Sequence, residues 1–290
     1  MTAVFAGYLK TFADAADAAA AAAAAAAVAE GAAVIVEPRR HPALRAVVAN
    51  HRAMLPPAWP IRLWTSHGNV AHALAELRGI PGPLEVRALA AGVADLTQLS
   101  YSELLMSSGF WESQKEPWIL IFQTDCVMFR PLAGAALARW QRYDYVGANY
   151  YNAAEVAPGG VGGVQGGFSL RRRDAMLQCL ARVGWDDVNA WRAAGGGAAV
   201  GAAVGAAPPI AESRRFEDIY YTHACAIIGA ALPPPSERGE FSVEAERPAP
   251  APAPPPIAHH GWNRPYFSDA QARELLAAAA AAGAGAAGAA

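Results

Sequence analysis

Trp118-Ile119-Leu120-Ile121-Phe122-Gln123-Thr124-Asp125-Cys126-Val127-Met128-Phe129-Arg130-Pro131 is the stretch whose reading decides the fold of this 290-residue chain. Most of it is aliphatic or aromatic, as in a strand buried on both faces. Yet Gln123, Thr124 and Asp125 sit together inside the apolar run. A carboxylate left unpaired there would be costly, so Asp125 needs a cation, a metal or a dense set of donors. Pro131 forbids continuation as a central strand. Open α/β sheets place ligand-binding groups at the C-terminal ends of their strands, so this acid marks a candidate active site. On these residues alone, a turn-capping Asp125 or a pair with Arg130 stays open.

Outward from this stretch, strand-like and helix-like segments alternate. Ala32–Glu37 is a short β-branched run, Pro42–Leu55 has helical spacing, and Trp59–Trp64 reads as a second strand, which together make a βαβ unit. Leu84–Leu89 is a third strand, Tyr101–Trp111 one helix, and Tyr145–Ala148 a further strand. A glycine-dense loop over 159–167 leads into Phe168-Ser169-Leu170 and a basic helix from Arg171. Phe216–Gly229 is helical, Pro233–Glu240 a loop, Phe241–Glu244 a short strand. The pattern predicts an α/β fold: one domain with a mixed, mostly parallel sheet flanked by helices.

Composition bounds the rest. Residues 1–31 form an Ala-rich segment and 268–290 a helix with an Ala/Gly tail. The single domain spans 32–267, interrupted by an Ala/Gly insertion at 193–209 and a stiff Pro-rich linker at 248–256. With 23 basic and 25 acidic residues the net charge is −2, which gives no general attraction to nucleic acid or anionic membrane. The Ala tract is flanked by acids and lacks a basic n-region, so neither a membrane span nor a convincing signal peptide is expected. Cytoplasm and endomembrane lumen both stay open. Three widely spaced cysteines form no C-x-x-C and no zinc spacing, and reduced thiols are expected.

Four stretches carry chemistry. Asp125 at a strand end is placed to bind a divalent cation that neutralises a diphosphate. Gly166 and Gly167 let backbone approach a ligand, and the arginines from Arg171 onward suit phosphate or carboxylate; a flexible loop before a solvated helix is the plain alternative. The glycines fit neither a P-loop nor a dinucleotide fingerprint. Glu217 and Asp218 open a helix, where acids are favoured by the macrodipole alone; one of them is equally suited to act as a general base. His259 and His260, beside Trp262, would complete a mixed O/N metal site with Asp125.

Taken in order, these pieces resemble an uncharacterised glycosyltransferase-like family akin to GT-A-type nucleotide-sugar transferases. The residues that carry the resemblance are Val34–Glu37, Leu55–Ile61, Phe110-Trp111, Leu120–Asp125, Tyr143–Ala148, Gly166–Arg171, Glu217-Asp218, Phe241–Glu244 and the His259/His260–Trp262 end. The resemblance implies a single GT-A-like, Rossmann-like domain moving a sugar from a nucleotide-sugar donor to a glycan, protein or small-molecule hydroxyl. It implies Mn²⁺ or Mg²⁺ on an acid-x-acid motif, of which this chain keeps Asp125 but has Gln123 in the first place. Asp125, His259 and His260 would then hold the metal. Glu37, Gln123, Thr124, Gly166, Gly167, Phe168, Ser169, Arg171 and Trp262 would line donor and acceptor, with Glu217 or Asp218 as base. Gln123 also admits a metal-independent variant with Arg171 or Arg172 on the diphosphate, or a catalytically silent sugar or nucleotide-sugar binding module.

Overall fold

The computed structural model describes residues 8–12, 30–150, 163–196, 208–244 and 256–261, with the isolated residues 273 and 277. The architecture is the expected α/β one. Strand β1 (Gly31–Val36) is buried along its whole length and lies at the centre. Because successive strand residues face opposite ways, it feeds two cores. Ala33 and Ile35 join Val47, Leu63 and Phe122 on one face; Ala32, Val34 and Val36 join Leu105, Ile121 and Tyr221 on the other.

Strands β2 (Ile61–Thr65), β3 (Leu84–Ala88) and β4 (Trp118–Phe122) run parallel to β1, with β2 and β4 as its immediate neighbours. Beyond β4, β7 (Val164–Arg172) is antiparallel and β6 (Tyr145–Asn149) closes the edge, giving the order β3-β2-β1-β4-β7-β6. Helix Leu44–Met54 covers one face through Leu44, Val47 and Val48. Helices Gln98–Leu105 and Glu217–Ile228 cover the other. A second sheet of three short strands joins β5 (Cys126–Met128), β9 (Ala258–His260) and β8 (Ser242–Glu244), in the order β5-β9-β8.

Several sequence expectations are corrected. The apolar run from Trp118 does not continue as one strand: it breaks at Gln123–Asp125, and Cys126–Met128 belongs to the second sheet. The expected helix over Tyr101–Trp111 is two helices, Gln98–Leu105 and Ser108–Glu112, because the Ser107 hydroxyl caps a new start at the Phe110 N–H. From Val164 to Gly167 the expected loop is strand instead, and Arg171 opens no helix; β7 takes in residues 164–172, where backbone pairing outweighs the glycines' poor strand propensity. Pro233–Glu240 contains the helix Pro235–Phe241, begun by a proline in its first turn. The 151–162 stretch, Trp262, most of the Ala/Gly insertion and most of the Pro-rich linker lie outside the described residues. Near the N-terminus, residues 8–12 are helical and Leu9 is buried in the main core. No helix among the described residues is long and apolar enough to cross a membrane.

His51 occupies the core as a neutral base. Its ring stacks on Phe122 at 4.0 Å and Nδ1 donates to the Val47 carbonyl at 2.8 Å, while Nε2 has no hydrogen-bond partner. Burial pushes its pKa down to about 3. The folded state therefore binds fewer protons than the unfolded chain, and stability falls as pH drops from the unfolded value near 6.5 toward 3. Between pH 7.5 and pH 5 this group alone costs about 2 kcal/mol. In urea unfolding at the two pH values, His51→Phe is expected to lose about that much less than wild type; an equal loss in both proteins would contradict the assignment.

Candidate active site

A cleft of about 400 Å³ opens at the C-terminal ends of β1 and β4. These two strands are neighbours, but the chain leaves them toward opposite edges of the sheet, so the cleft lies at the topological switch point where open α/β sheets bind ligands. One wall is Glu37, just after β1; another is Gln123-Thr124-Asp125, just after β4. The Thr124 hydroxyl donates to Glu37 Oε2 at 3.3 Å and ties the two strand ends together. Glu37 also grips Arg39 with both oxygens, at 2.8 and 3.1 Å. Arg39, 58 % exposed, is thereby fixed in orientation in the wall of the cleft, with Asp95 a further 3.7 Å neighbour.

Asp125 lines this cleft and meets His260. Its Oδ1 lies 3.3 Å from His260 Nε2, and the Gln123 side-chain oxygen lies 3.1 Å from the same nitrogen. Backbone geometry enforces the meeting: the Gly261 N–H donates to the Asp125 carbonyl at 2.9 Å, and Cys126 stands directly opposite His260 in the β5–β9 ladder. On its other side His260 Nδ1 lies 3.2 Å from Glu244 Oε2. Burial opposes a charge on His260, but Glu244 and then Asp125 outweigh it and hold the pKa up at about 10. His259, next along the strand, takes the opposite face; burial, then the His260 charge, push it down to about 3.

Asp125, Cys126 and His260 offer donor atoms within 4.8 Å of one another. The thiol is the weakest member. Burial and then Asp125 raise its pKa well above normal, and its S–H donates to the Gly167 carbonyl at 3.2 Å. Asp125, His260 and the Gln123 oxygen make an O/N/O set that fits a divalent cation such as Mn²⁺. Of the two histidines expected at the metal, His260 meets Asp125 and His259 faces away.

Gly166 and Gly167 connect this corner to the acid pair. A methyl at Gly167 would overlap the His260 ring, and one at Gly166 would overlap Glu217 Oε1. Alternation along β7 turns the two glycines to these two sides. Both must lack a side chain because imidazole and carboxylate pack directly on the strand. Glu217 pairs with Arg171 at 2.7 and 3.1 Å, with the Arg171 side chain wholly out of water. Arg171 also donates to the Ser169 hydroxyl at 2.9 Å and lies over the Tyr145 ring at 4.8 Å. Burial disfavours its charge, but Glu217 more than restores it and the pKa is raised. Asp218 follows on the same helix. Its Oδ1 accepts from the Ile219 N–H at 2.8 Å, and burial, then Glu217, push its pKa up to about 7.

The structure thus gathers Glu37, Gln123, Thr124 and Asp125 at the cleft, with His260 buried against Asp125 and Gln123 and packed on Gly167. Arg171 is the interior partner of Glu217, Ser169 in turn accepts from Arg171, and Phe168 packs between His51 and Phe241 in the core. Trp262 lies outside the described residues. Sequence reasoning passed over Glu244 and Arg39 as site residues. Glu244 carried the same signal as Asp125, an acid closing an apolar strand-like run; Arg39 carried none beyond its place two residues after Glu37.

Fold and site define an α/β protein with a polar cleft at the switch point of its sheet and an Asp–His corner beside it. The chain belongs to the DUF5672 family, described as a protein of unknown function, whose family model matches residues 84–253. No curated protein matches it in sequence. Among solved structures it is similar to mouse xyloside xylosyltransferase 1 in the apo form, at 11 % identity and TM-score 0.49, covering 79 % of this chain and 96 % of that one. It is also similar to apo GlyE, a glycosyltransferase of Streptococcus pneumoniae TIGR4, at 12 % identity and TM-score 0.46, covering 83 % and 55 %. Core-mannan synthase A of Aspergillus fumigatus, in its Mn/GDP form, follows at 10 % identity and TM-score 0.43, covering 74 % and 73 %.

Removing one partner of a buried ion pair strands the other charge, at about 3–5 kcal/mol, whereas removing both is far cheaper. Arg171→Met is therefore expected to lose about that much stability in urea unfolding. The double variant Arg171→Met/Glu217→Leu should recover most of it. Equal losses for single and double variants would show that the pair does not hold this region.

Proposed function

We propose that this protein is a glycosyltransferase that takes a nucleotide-sugar donor into the cleft between the ends of β1 and β4 and passes the sugar to an acceptor hydroxyl. The observation that carries the reading is the meeting of Asp125, which lines that cleft, with His260 from much further along the chain. The ordered set of segments that resembles GT-A-type transferases supports it, with β1 and β4 supplying the strand ends that such a donor needs.

Each residue then has a task. Glu37 and Thr124 lock the two strand ends, so the cleft is formed before the donor arrives, and Glu37 aims Arg39 at it. Asp125, His260 and Gln123 present two oxygens and a nitrogen to a divalent cation. When bound, such a cation supplies positive charge to the departing diphosphate. The imidazole in the set favours Mn²⁺ over Mg²⁺, which prefers an all-oxygen shell. Asp218 removes the proton of the acceptor hydroxyl as its oxygen attacks the sugar's anomeric carbon and the bond to the diphosphate breaks, in an inverting displacement. A carboxyl held near 7 suits that task, being both available as carboxylate and basic enough to take the proton. Glu217 takes no part as base in this reading, nor Arg171 on the diphosphate, because each is engaged by the other.

One observation favours a second reading, a sugar-nucleotide binding module without turnover: Gln123 stands where an acid is usual, leaving the corner one charge short. Titration calorimetry with UDP- and GDP-sugars, with and without Mn²⁺, tests the common part. Binding of at least one donor, strengthened more by Mn²⁺ than by Mg²⁺, is expected; no binding to any donor would end both readings. Turnover separates them. Asp218→Asn is expected to lower kcat about 10²–10⁴-fold with donor affinity nearly unchanged, and wild-type kcat/KM should rise with pH through about 7. Donor binding with equal, negligible turnover in wild type and variant would favour the binding module.

A further inference from the structure

Three strands bring three side chains into one row. In the second sheet Cys126 of β5 stands opposite His260 of β9, and Glu244 of β8 stands beside it in the parallel ladder. Residues paired at one register position project from the same face, so the His260 ring lies between the thiol and the Glu244 carboxylate. The ring is held from every side: Nε2 by Asp125 and Gln123, Nδ1 by Glu244 at 3.2 Å, and one face by the Gly167 backbone. Glu244 itself is 6 % exposed. It sits in a strand with no part in the cleft, and the reaction above gives it no task.

We propose that Glu244 is a positioning residue: it holds the Nδ1 proton of His260 and so makes Nε2 the nitrogen presented beside Asp125 to a divalent cation. The inference rests on the reading that Asp125 and His260 hold such an ion. A neutral imidazole has one donor and one acceptor nitrogen, and the partner of the first decides which lone pair reaches the metal. A carboxylate on the far nitrogen fixes both the tautomer and the ring plane, and losing it typically costs 10–100-fold in metal affinity. Without Glu244 the other tautomer is favoured, with Nε2 protonated toward the Gln123 oxygen and no lone pair left for the ion.

The test is Mn²⁺ binding by titration calorimetry, without nucleotide, on the full chain carrying Glu244→Gln or Glu244→Leu. Gln keeps an acceptor for Nδ1–H, so Glu244→Gln is expected to bind within a few fold of wild type. Glu244→Leu removes the acceptor and is expected to bind 10–100-fold more weakly. Should the Leu variant fail to fold, ¹⁵N-histidine NMR of the Zn²⁺-loaded wild type answers the same question, with His260 expected to show a protonated Nδ1 and a metal-bound Nε2. A folded Glu244→Leu protein that binds Mn²⁺ like wild type, or a Zn²⁺-bound Nδ1, overturns the proposal and leaves the functional reading standing. Wild type that binds no divalent cation overturns both.

Discussion

The ion pair between Arg171 and Glu217 is the interaction on which the site's geometry rests. Both charges are out of water, so each is tolerable only while the other stays within hydrogen-bonding distance. That requirement locks β7 to the first turn of helix Glu217–Ile228. The Tyr145, Tyr221 and Trp111 rings surround the guanidinium, and its other partners, the Ser169 hydroxyl and the Gly166 carbonyl, are neutral groups of β7 itself. Once the pair is placed, Asp218 has no freedom left: it is the next residue, in the same turn, beside a carboxylate whose charge raises its own proton affinity. The glycine pair follows from the same constraint. Glu217 packs onto β7 at Gly166, and strand alternation turns Gly167 to the other side, where the imidazole of His260 lies flat against it.

The second sheet solves a separate problem, that of holding Asp125 at a strand end without letting the chain run on. After Asp125 the backbone turns into β5, whose free edge is satisfied by a side chain. Asn50 accepts from the Met128 N–H at 2.8 Å and donates to its carbonyl at 3.1 Å, imitating a paired strand. β9 covers the other edge, and the Gly261-to-Asp125 backbone bond sets the height at which His260 stands. Residues more than a hundred positions apart thus meet through main-chain pairing, which is stiffer than any side-chain contact.

The fold and the corner were legible to different degrees, for physical reasons. β1 and β4 could be read because a parallel strand buried on both faces needs an unbroken apolar run, and few other elements do. Asp125 could be read because a carboxylate inside such a run demands a cause. The glycine-bearing first part of β7 was misread as a loop because its glycines answer to tertiary contacts with Glu217 and His260, and nothing in local propensity registers an approach from elsewhere in the chain. The split of the helix around Met106 turned on one serine cap. The Arg171–Glu217 pair joins residues 46 apart, and only the antiparallel placement of β7 brings them together. Which of two adjacent histidines meets Asp125 is decided by strand phase, which the spacing of His259 and His260 leaves open.

Charge balance explains why the corner needs so many partners. Asp125, Glu217, Asp218 and Glu244 all lie within a tenth of full exposure. The cations set against them in the contacts described are Arg171, which is paired with Glu217, and His260. The resulting excess of negative charge acts on the groups least able to share it. It raises Asp218, with Glu244 adding to the effect of Glu217, and it holds His260 protonated against the cost of burial. A divalent cation beside Asp125 would relieve the same excess, displacing the Nε2 proton and leaving the imidazole neutral between ion and Glu244. The substitution of Gln123 for an acid then has a physical sense. With Glu244 already bearing on the histidine, a second carboxylate at 123 would add repulsion to an interior where charge is already poorly compensated. An amide oxygen there can still ligate a metal at no further cost in charge.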